Sequence, residues 1–161
     1  MSPLPPSPLT HLTPEGDAHM VEVGEKAVTR RSATAEGWVR LSAEALAQVV
    51  ERRAKKGDVL MIAQIAGIQG AKRTSEWIPL CHPLPLDGVD VRLDVRDGAI
   101  RIEATARCTG RTGVEMEALT AVTAAALTVY DMLKAVDRGI GIEGVRLLAK
   151  SGGRSGNWTA A

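Results

Sequence analysis

The sequence predicts an α+β domain, an antiparallel sheet with helices layered on one face, and three observations carry that prediction. Ser42 and Asp58 each stand where a helix N-cap belongs, and apolar residues follow both at helical spacing. From Gly88 the chain alternates apolar and charged residues, turns at Asp97-Gly98 and alternates again, which is the signature of a two-residue hairpin. A third apolar stripe of period 3.6 then runs from Thr112 to Val136. With 161 residues, 45% of them hydrophobic, the chain suits a single packed core.

Each element has a local cause. Residues 1–16 carry Pro3, Pro5, Pro6, Pro8 and Pro14, which block regular ladders, so they are expected to form a flexible N-terminal arm. The single catalytic domain is expected over residues 17–150. Its first strand lies within Lys26 to Leu41, where Val28, Trp38, Val39 and Leu41 are apolar and Gly37 interrupts the run. Ser42 then caps a helix over Ala43 to Ala54, with Leu46, Val49 and Val50 on one face and Gly57 as its stop. Asp58 caps a second helix, whose Leu60, Ile62, Ile65 and Ile68 supply the apolar face before Lys72, Arg73 and Pro79 close it; Gly67 and Gly70 imply close packing against a neighbour. The hairpin uses Val89, Val91, Leu93 and Val95 on one strand and Ile100, Ile102 and Ala104 on the other. In the long helix, Met116, Leu119, Val122, Leu127, Tyr130 and Leu133 are the expected buried residues, and Ala124 to Ala126 permit close helix contact. Ile140 to Ala149 reads as a last strand, followed by a Gly-rich C-terminal tail over 151–161. This order of elements points to a ferredoxin-like topology. One helical layer covers only one sheet face, which leaves the other to solvent or to another subunit.

Composition excludes several classes of function. Twenty Lys and Arg against nineteen Asp and Glu leave a net charge of +1, and the aromatic residues are three Trp and one Tyr, with no Phe. That balance, without stacking platforms, argues against a nucleic-acid surface. No segment reaches the ~20 uninterrupted apolar residues of a membrane span, and the N-terminus lacks the layout of a secretory signal, so a cytoplasmic protein is expected. Two cysteines, Cys81 and Cys108, are too few for a disulfide scaffold and show no C-x-x-C spacing.

Three segments are stranger than folding requires. Between Ile78 and Leu86, Pro79, Pro83 and Pro85 fix the backbone around Cys81 and His82, a rigidity that either presents an imidazole accurately or simply builds a buried connector. A metal centre would have to draw on His11, His19 or Cys108, none at a recognised spacing, so no metal site is expected. At the start of the long helix, Thr112 and Glu115 stand at capping-box spacing, which gives Glu115 a structural task; Glu117 has only the helix dipole to satisfy. Asp131 and Lys134 lie at i and i+3, the spacing of an ordinary ion pair. The third feature is lysine beside glycine, in Lys55-Lys56-Gly57-Asp58 and in Lys150-Ser151-Gly152-Gly153-Arg154-Ser155-Gly156, which can wrap phosphate oxygens; a cationic helix end would equally explain Lys55 and Lys56. No Walker A order is present, and Gly139, Gly141 and Gly144 follow a helix, the reverse of a dinucleotide-binding context. On one continuous helix Glu117 and Asp131 would lie roughly 21 Å apart, so if both are functional either the two ends serve different parts of a long ligand or a second subunit completes the site, and the second arrangement is expected.

A set of motifs in one order makes the chain similar to a known family. Thr10-His11-Leu12, His19-Met20-Val21-Glu22-Val23, Lys56-Gly57-Asp58-Val59, Ile65-Ala66-Gly67-Ile68-Gln69, Ala71-Lys72-Arg73-Thr74, Ile78-Pro79-Leu80-Cys81-His82-Pro83-Leu84, Thr112-Gly113-Val114-Glu115-Met116-Glu117-Ala118-Leu119-Thr120, Tyr130-Asp131-Met132 and Val145-Arg146-Leu147-Leu148-Ala149-Lys150-Ser151-Gly152-Gly153 resemble the cyclic pyranopterin monophosphate synthases, the molybdenum cofactor biosynthesis protein C family. The likeness extends from about Thr10 to Trp158. It implies a lyase-type rearrangement of a cyclised dihydroguanosine triphosphate to cyclic pyranopterin monophosphate with loss of pyrophosphate. It also implies a ferredoxin-like homohexamer, a trimer of dimers, with sites at the dimer interface. By the same resemblance Asp131, Lys134 and Lys56 are the catalytic residues. Leu80, Cys81 and His82 contact substrate, Glu115, Met116 and Glu117 read the guanine-derived ring, and Lys150 binds phosphate. Lysine acid–base chemistry would require a pKa lowered by burial or by neighbouring cations such as Lys55. The family usually carries Asp where this chain has Glu22, whose role stays open. No residue pattern calls for a tightly bound cofactor, and Mg²⁺ arriving with a triphosphate is compatible with the pattern. Two other classes compete: a non-catalytic nucleotide-binding or assembly module, and a phosphatase or nucleotidyl transferase. The first gains nothing from a carboxylate near phosphate, and the second normally shows an acidic metal cluster.

Overall fold

Small residues decide how the layers of this protein meet. The computed structural model describes residues 11–13 and 15–161, so most of the proline-rich arm expected at 1–16 lies outside the described residues. Strand β1 (Thr29–Arg40) turns Ala33, Ala35 and Val39 toward the helices. Gly37 belongs to that inner row: a Cβ there would stand 2.7 Å from Val122 Cγ1. The glycine that interrupts the apolar run therefore lets a helix sit down on the strand. Helix α1 (Ala43–Val50) begins as expected, with Ser42 accepting a hydrogen bond from the Ala45 N–H at 3.3 Å. It stops before Ala54, because Glu51 caps it and Arg52 turns the chain at a φ of 54°. Lys55 and Lys56 thus sit on an inter-helix turn, and the reading of them as a cationic helix end is wrong.

Helix α2 (Val59–Lys72) is capped by Asp58, which accepts from the Met61 N–H at 3.1 Å. Its buried side is not the aliphatic one the sequence suggested. Val59, Ala63, Gly67, Gly70 and Ala71 face inward, while Ile62 and Ile65 are exposed. A single-turn helix, α3 (Thr74–Trp77), follows unannounced by any periodicity, held by Thr74 donating to the Ala71 carbonyl at 3.0 Å. The hairpin is β2 (Leu86–Arg96) and β3 (Ala99–Gly110), closed at Asp97-Gly98 with Gly98 at a φ of 63°. Helix α4 (Glu115–Leu133) is shorter at both ends than its apolar stripe. Its N-cap is Val114, 1% exposed, with no side-chain cap. Burying Val114 delays the first turn, so the expected Thr112–Glu115 capping box does not form. Leu127, expected in the core, is 50% exposed because α4 turns its alanines to the sheet instead. Strand β4 (Gly141–Ser151) runs to the glycines, and past them Trp158–Thr159 adds a short β5.

The five strands pair antiparallel in the order β2-β3-β1-β4-β5. With α1 to α3 crossing from β1 to β2 and α4 from β3 to β4, this is the β-α-β-β-α-β order of a ferredoxin-like fold. Beneath α2 and α4, Ile100, Ile102, Ala104, Ala106 and Cys108 of β3 form the middle of the core. The opposite sheet face is polar. There Thr34 and Thr105 share a hydrogen bond of 2.8 Å, and Glu36 is held by Arg101 and Arg146 at 2.9 and 2.8 Å. Burial alone would raise the Glu36 carboxyl, but the hydrogen bonds from Arg146 and Arg101 bring it below its ordinary value.

Candidate functional site

Two groups of chemically capable side chains gather at opposite ends of α4. At its C-terminal end Asp131 stands between two lysines. Lys56 donates to Asp131 Oδ2 at 2.6 Å and to the Asp131 carbonyl at 2.9 Å, while Lys134 reaches Oδ1 at 2.7 Å. Lys56 gets there because α1 ends early and the 51–58 turn swings back beside α4; Lys134 gets there as the α4 C-cap. The hydrogen bonds from Lys134 and Lys56 lower the Asp131 carboxyl to about 2, and Asp131 in turn raises the Lys134 ammonium. The pair is therefore a carboxylate and a firmly charged ammonium at neutral pH. At Lys134 the nearest charge is a carboxylate, which raises the ammonium where acid–base work near neutral pH would require it lowered. Lys55 is exposed and is not part of this cluster.

The other group surrounds the first turn of α4. A cavity of about 410 Å³ is lined by Leu80, Cys81, His82, Met116, Glu115 and Glu117, together with His11, Val21, Val23, Lys26, Leu84, Thr112 and Gly113. The proline-braced 78–86 connector thus does deliver Cys81 and His82 to the same place as the Glu115–Glu117 turn. Glu117 is 4% exposed. Its burial, with help from Glu115, pushes its carboxyl up to about 7 against the pull of a backbone hydrogen bond. Burial and then Glu117 push the Cys81 thiol up as well, which keeps it protonated and makes it a poor nucleophile.

A second cavity of about 630 Å³ adjoins the first, sharing Lys26, Thr112, Gly113 and Glu115. Its walls carry Lys26, Arg31, Arg111, Lys150 and Arg154 against Glu25 and Glu115. Freed from the capping box, Glu115 lies 3.8 Å from Lys150, which also contacts Ser155. Gly152 and Gly153, at φ of 90° and 74°, fold the chain over Arg31; a Cβ on Gly153 would fall 1.6 Å from Arg31 Nη1. Among the described residues, Thr29 Oγ1 and Arg31 Nε are buried without a hydrogen-bond partner. Five cations and backbone N–H groups suit a multiply charged anion. Sequence reasoning singled out Lys150 and Arg154 here but missed Arg31, Lys26 and Arg111, which come from distant segments and form no motif. No group of three or more His, Cys, Asp or Glu is placed to hold a metal ion among the described residues.

The two ends remain apart. Because α4 is continuous from Glu115 to Leu133, Glu117 and Asp131 are separated by roughly 21 Å along its axis.

Comparison with known proteins matches the same stretch of chain. A model of the MoaC family covers residues 20–153. A Thermomicrobium roseum protein named cyclic pyranopterin monophosphate synthase is 60% identical over 152 residues, 93% of this chain and 92% of its own length. Proteins of that name from Cereibacter sphaeroides and Corynebacterium efficiens are 57% and 56% identical, each match covering at least 95% of this chain and 99% of the relative.

Proposed function

The chain belongs to the MoaC family, and from that membership together with the geometry of the site we propose that it is a cyclic pyranopterin monophosphate synthase of molybdenum cofactor biosynthesis. Its substrate is the cyclised dihydroguanosine triphosphate, and the reaction is of the lyase type. The observation that carries the reading is the Lys56–Asp131–Lys134 cluster, with both lysines within 2.7 Å of one carboxylate. A module that only holds nucleotide has no use for a carboxylate there, since it repels phosphate.

In the proposed mechanism the polyphosphate lies among the cations of the larger cavity, with Lys150 as a ligand, and the ring enters the smaller one beside His82, Met116 and the carboxylates of Glu115 and Glu117. A ribose hydroxyl oxygen attacks the α-phosphorus, the bond to the bridging oxygen breaks, and pyrophosphate leaves with the electron pair and takes up the hydroxyl proton. The clustered cations stabilise the charge that builds on it. Lys56 and Lys134 donate protons to the opening ring and take them back from it on reclosure, while Asp131 stays ionised and holds both ammonium groups in place.

No single chain brings Asp131 to these cavities, so the complete site is assembled between two copies, within a homohexamer built as a trimer of dimers. The outward faces of α2 and α4 support this, since they leave Met61, Ile62, Ile65 and Leu127 exposed. The cytoplasm is the proposed location, in keeping with a small-molecule substrate.

The test is incubation of purified protein with the cyclised triphosphate, scoring pyrophosphate and pterin product. Turnover by the wild type, with losses of at least about a hundredfold in Lys56→Ala and Asp131→Asn variants that keep their oligomeric state, is the expected result. Binding without pyrophosphate release would assign the chain to nucleotide holding instead.

A further inference from the structure

The Gly-rich tail does not leave the sheet after β4. Gly152, Gly153 and Gly156, at φ of 90°, 74° and 65°, bend it back on itself, and the Gly156 N–H donates to the Gly153 carbonyl at 3.1 Å. These left-handed conformations come at no steric cost to a residue without a Cβ. On one side the loop presses on β1, where a Cβ on Gly152 would overlap the Arg30 carbonyl oxygen. On the other, β5 pairs with β4, Trp158 opposite Lys150 and Thr159 opposite Ala149, and the Ala160 N–H donates to the Leu148 carbonyl at 2.8 Å. Yet β5 adds little to the core, because Trp158 is 45% exposed and Thr159 is exposed as well. Burial so slight offsets little of the entropy lost in ordering the segment, so what the pairing secures is the loop between the two strands.

That loop carries Ser155 to Lys150. The Lys150 side chain is only 19% exposed, and its ammonium has two neighbours: the Ser155 hydroxyl, to which it donates, and the Glu115 carboxylate at 3.8 Å. The two act differently on an anion site. A carboxylate that closes on Lys150 cancels the charge a phosphate needs, whereas a neutral hydroxyl fixes the ammonium and leaves its charge intact. All three residues line the larger cavity, so this competition is decided on its wall. Resting on the function proposed for that cavity, we infer that Ser155 is a positioning residue that keeps the Lys150 ammonium available to the substrate's phosphates instead of paired with Glu115, and that β5 is the clasp that holds Ser155 there.

The test measures equilibrium binding of inorganic pyrophosphate to the full chain by calorimetry, with the urea midpoint of each variant as a control on folding. Ser155→Ala is expected to bind about fivefold more weakly than the wild type at an unchanged midpoint, and Ser155→Thr, which keeps the hydroxyl, should recover most of the loss. Ala160→Pro, which removes the N–H that ties β5 to Leu148, should weaken binding at least as much. In a Glu115→Gln chain, Ser155→Ala should cost far less, because no carboxylate competes for Lys150; a hydroxyl that touched phosphate directly would cost the same in both backgrounds. Undiminished binding in Ser155→Ala or in Ala160→Pro, a full fivefold loss in the Glu115→Gln background, or no binding by the wild type overturns the proposal. Failure of the wild type to release pyrophosphate from the cyclised substrate, with pyrophosphate affinity intact and dependent on Ser155 as described, would instead overturn the reaction and uphold the clasp.

Discussion

Asp131 and Glu117 are both carboxylates on α4, yet their surroundings drive their ionisation in opposite directions. Asp131, flanked by Lys134 and Lys56, is held at about 2 and stays charged throughout the neutral range. Removing one cation should raise it: a carbon-detected NMR titration of Lys56→Ala is expected to show the Asp131 midpoint shifted upward, and an unmoved midpoint would mean that the ion pair is not maintained in solution. Glu117 is raised by burial to about 7 from an ordinary 4.5, so the folded chain holds its proton more tightly than the unfolded one. Its contribution to stability is therefore complete below pH 4.5 and lost as the pH rises through 7, amounting to about 3 kcal/mol over that interval. Urea midpoints measured across it should fall with rising pH in the wild type, and the slope should flatten in Glu117→Gln. Such a cost is tolerable where a protonated or ligand-paired carboxyl is wanted, which fits its position in the smaller cavity.

Among the elements, α2 and α4 set the geometry, because glycine and alanine at their contact allow the backbones to approach. A Cβ on Gly70 would stand 2.6 Å from Ala124 Cβ and 3.1 Å from the Thr120 carbonyl. Gly70→Ala, which raises helix propensity, is nonetheless expected to destabilise the protein by about 1–3 kcal/mol through overpacking. Ala124→Gly in the same chain should recover part of the loss, and denaturant unfolding of the single and double variants checks the coupling. A second device fixes the chain leaving Lys134. Asp137 accepts hydrogen bonds from the Ser42 and Gly139 N–H groups, both at 2.8 Å, tying the turn after α4 to the start of α1. Asp137→Ala is expected to cost about 1 kcal/mol in unfolding experiments, with amide exchange quickened at Ser42.

For the whole molecule, the separation of the two reactive groups along α4 makes a distinct prediction. Asp131→Asn and Glu117→Gln chains, each inactive alone, should regain activity when mixed and allowed to exchange subunits, because some sites then draw both intact ends from different copies. Random pairing leaves about a quarter of the sites complete. No recovery after verified exchange would place both ends of one chain in the same site. In the proposed assembly the exposed Met61, Ile62, Ile65 and Leu127 are the apolar surface available for contact between copies, and substituting Ile65 with Asp should then lower the mass seen in sedimentation experiments while leaving far-UV dichroism unchanged.

Local chemistry was legible in the sequence wherever a residue acts on its immediate neighbours. Ser42 and Asp58 cap their helices, Asp97-Gly98 closes its hairpin, and the order of elements already implied the sheet with helices on one face. The motifs likewise carried the Cys81–His82 and Glu115–Glu117 segments and the residues Lys56, Asp131, Lys134 and Lys150, because such runs are contiguous. Features that depend on distant segments were not legible. Apolar periodicity placed Ile62, Ile65 and Leu127 in the core, since it counts hydrophobic residues and knows nothing of how closely two helices come; the small residues won, and the larger ones turned outward. The capping box at Thr112 and Glu115 has the right spacing, yet burial of Val114 delays the helix and frees Glu115 toward Lys150. The cation-lined cavity draws Lys26 and Arg31 from before and within β1, Arg111 from the end of the hairpin, and Lys150 and Arg154 from β4 and the loop after it. The sequence by itself determined the main elements, α3 and β5 apart, together with their order and the candidate residue types, because those follow from backbone preference and side-chain chemistry. Only the tertiary structure decided which of them meet, because packing brings together charges that share no local pattern.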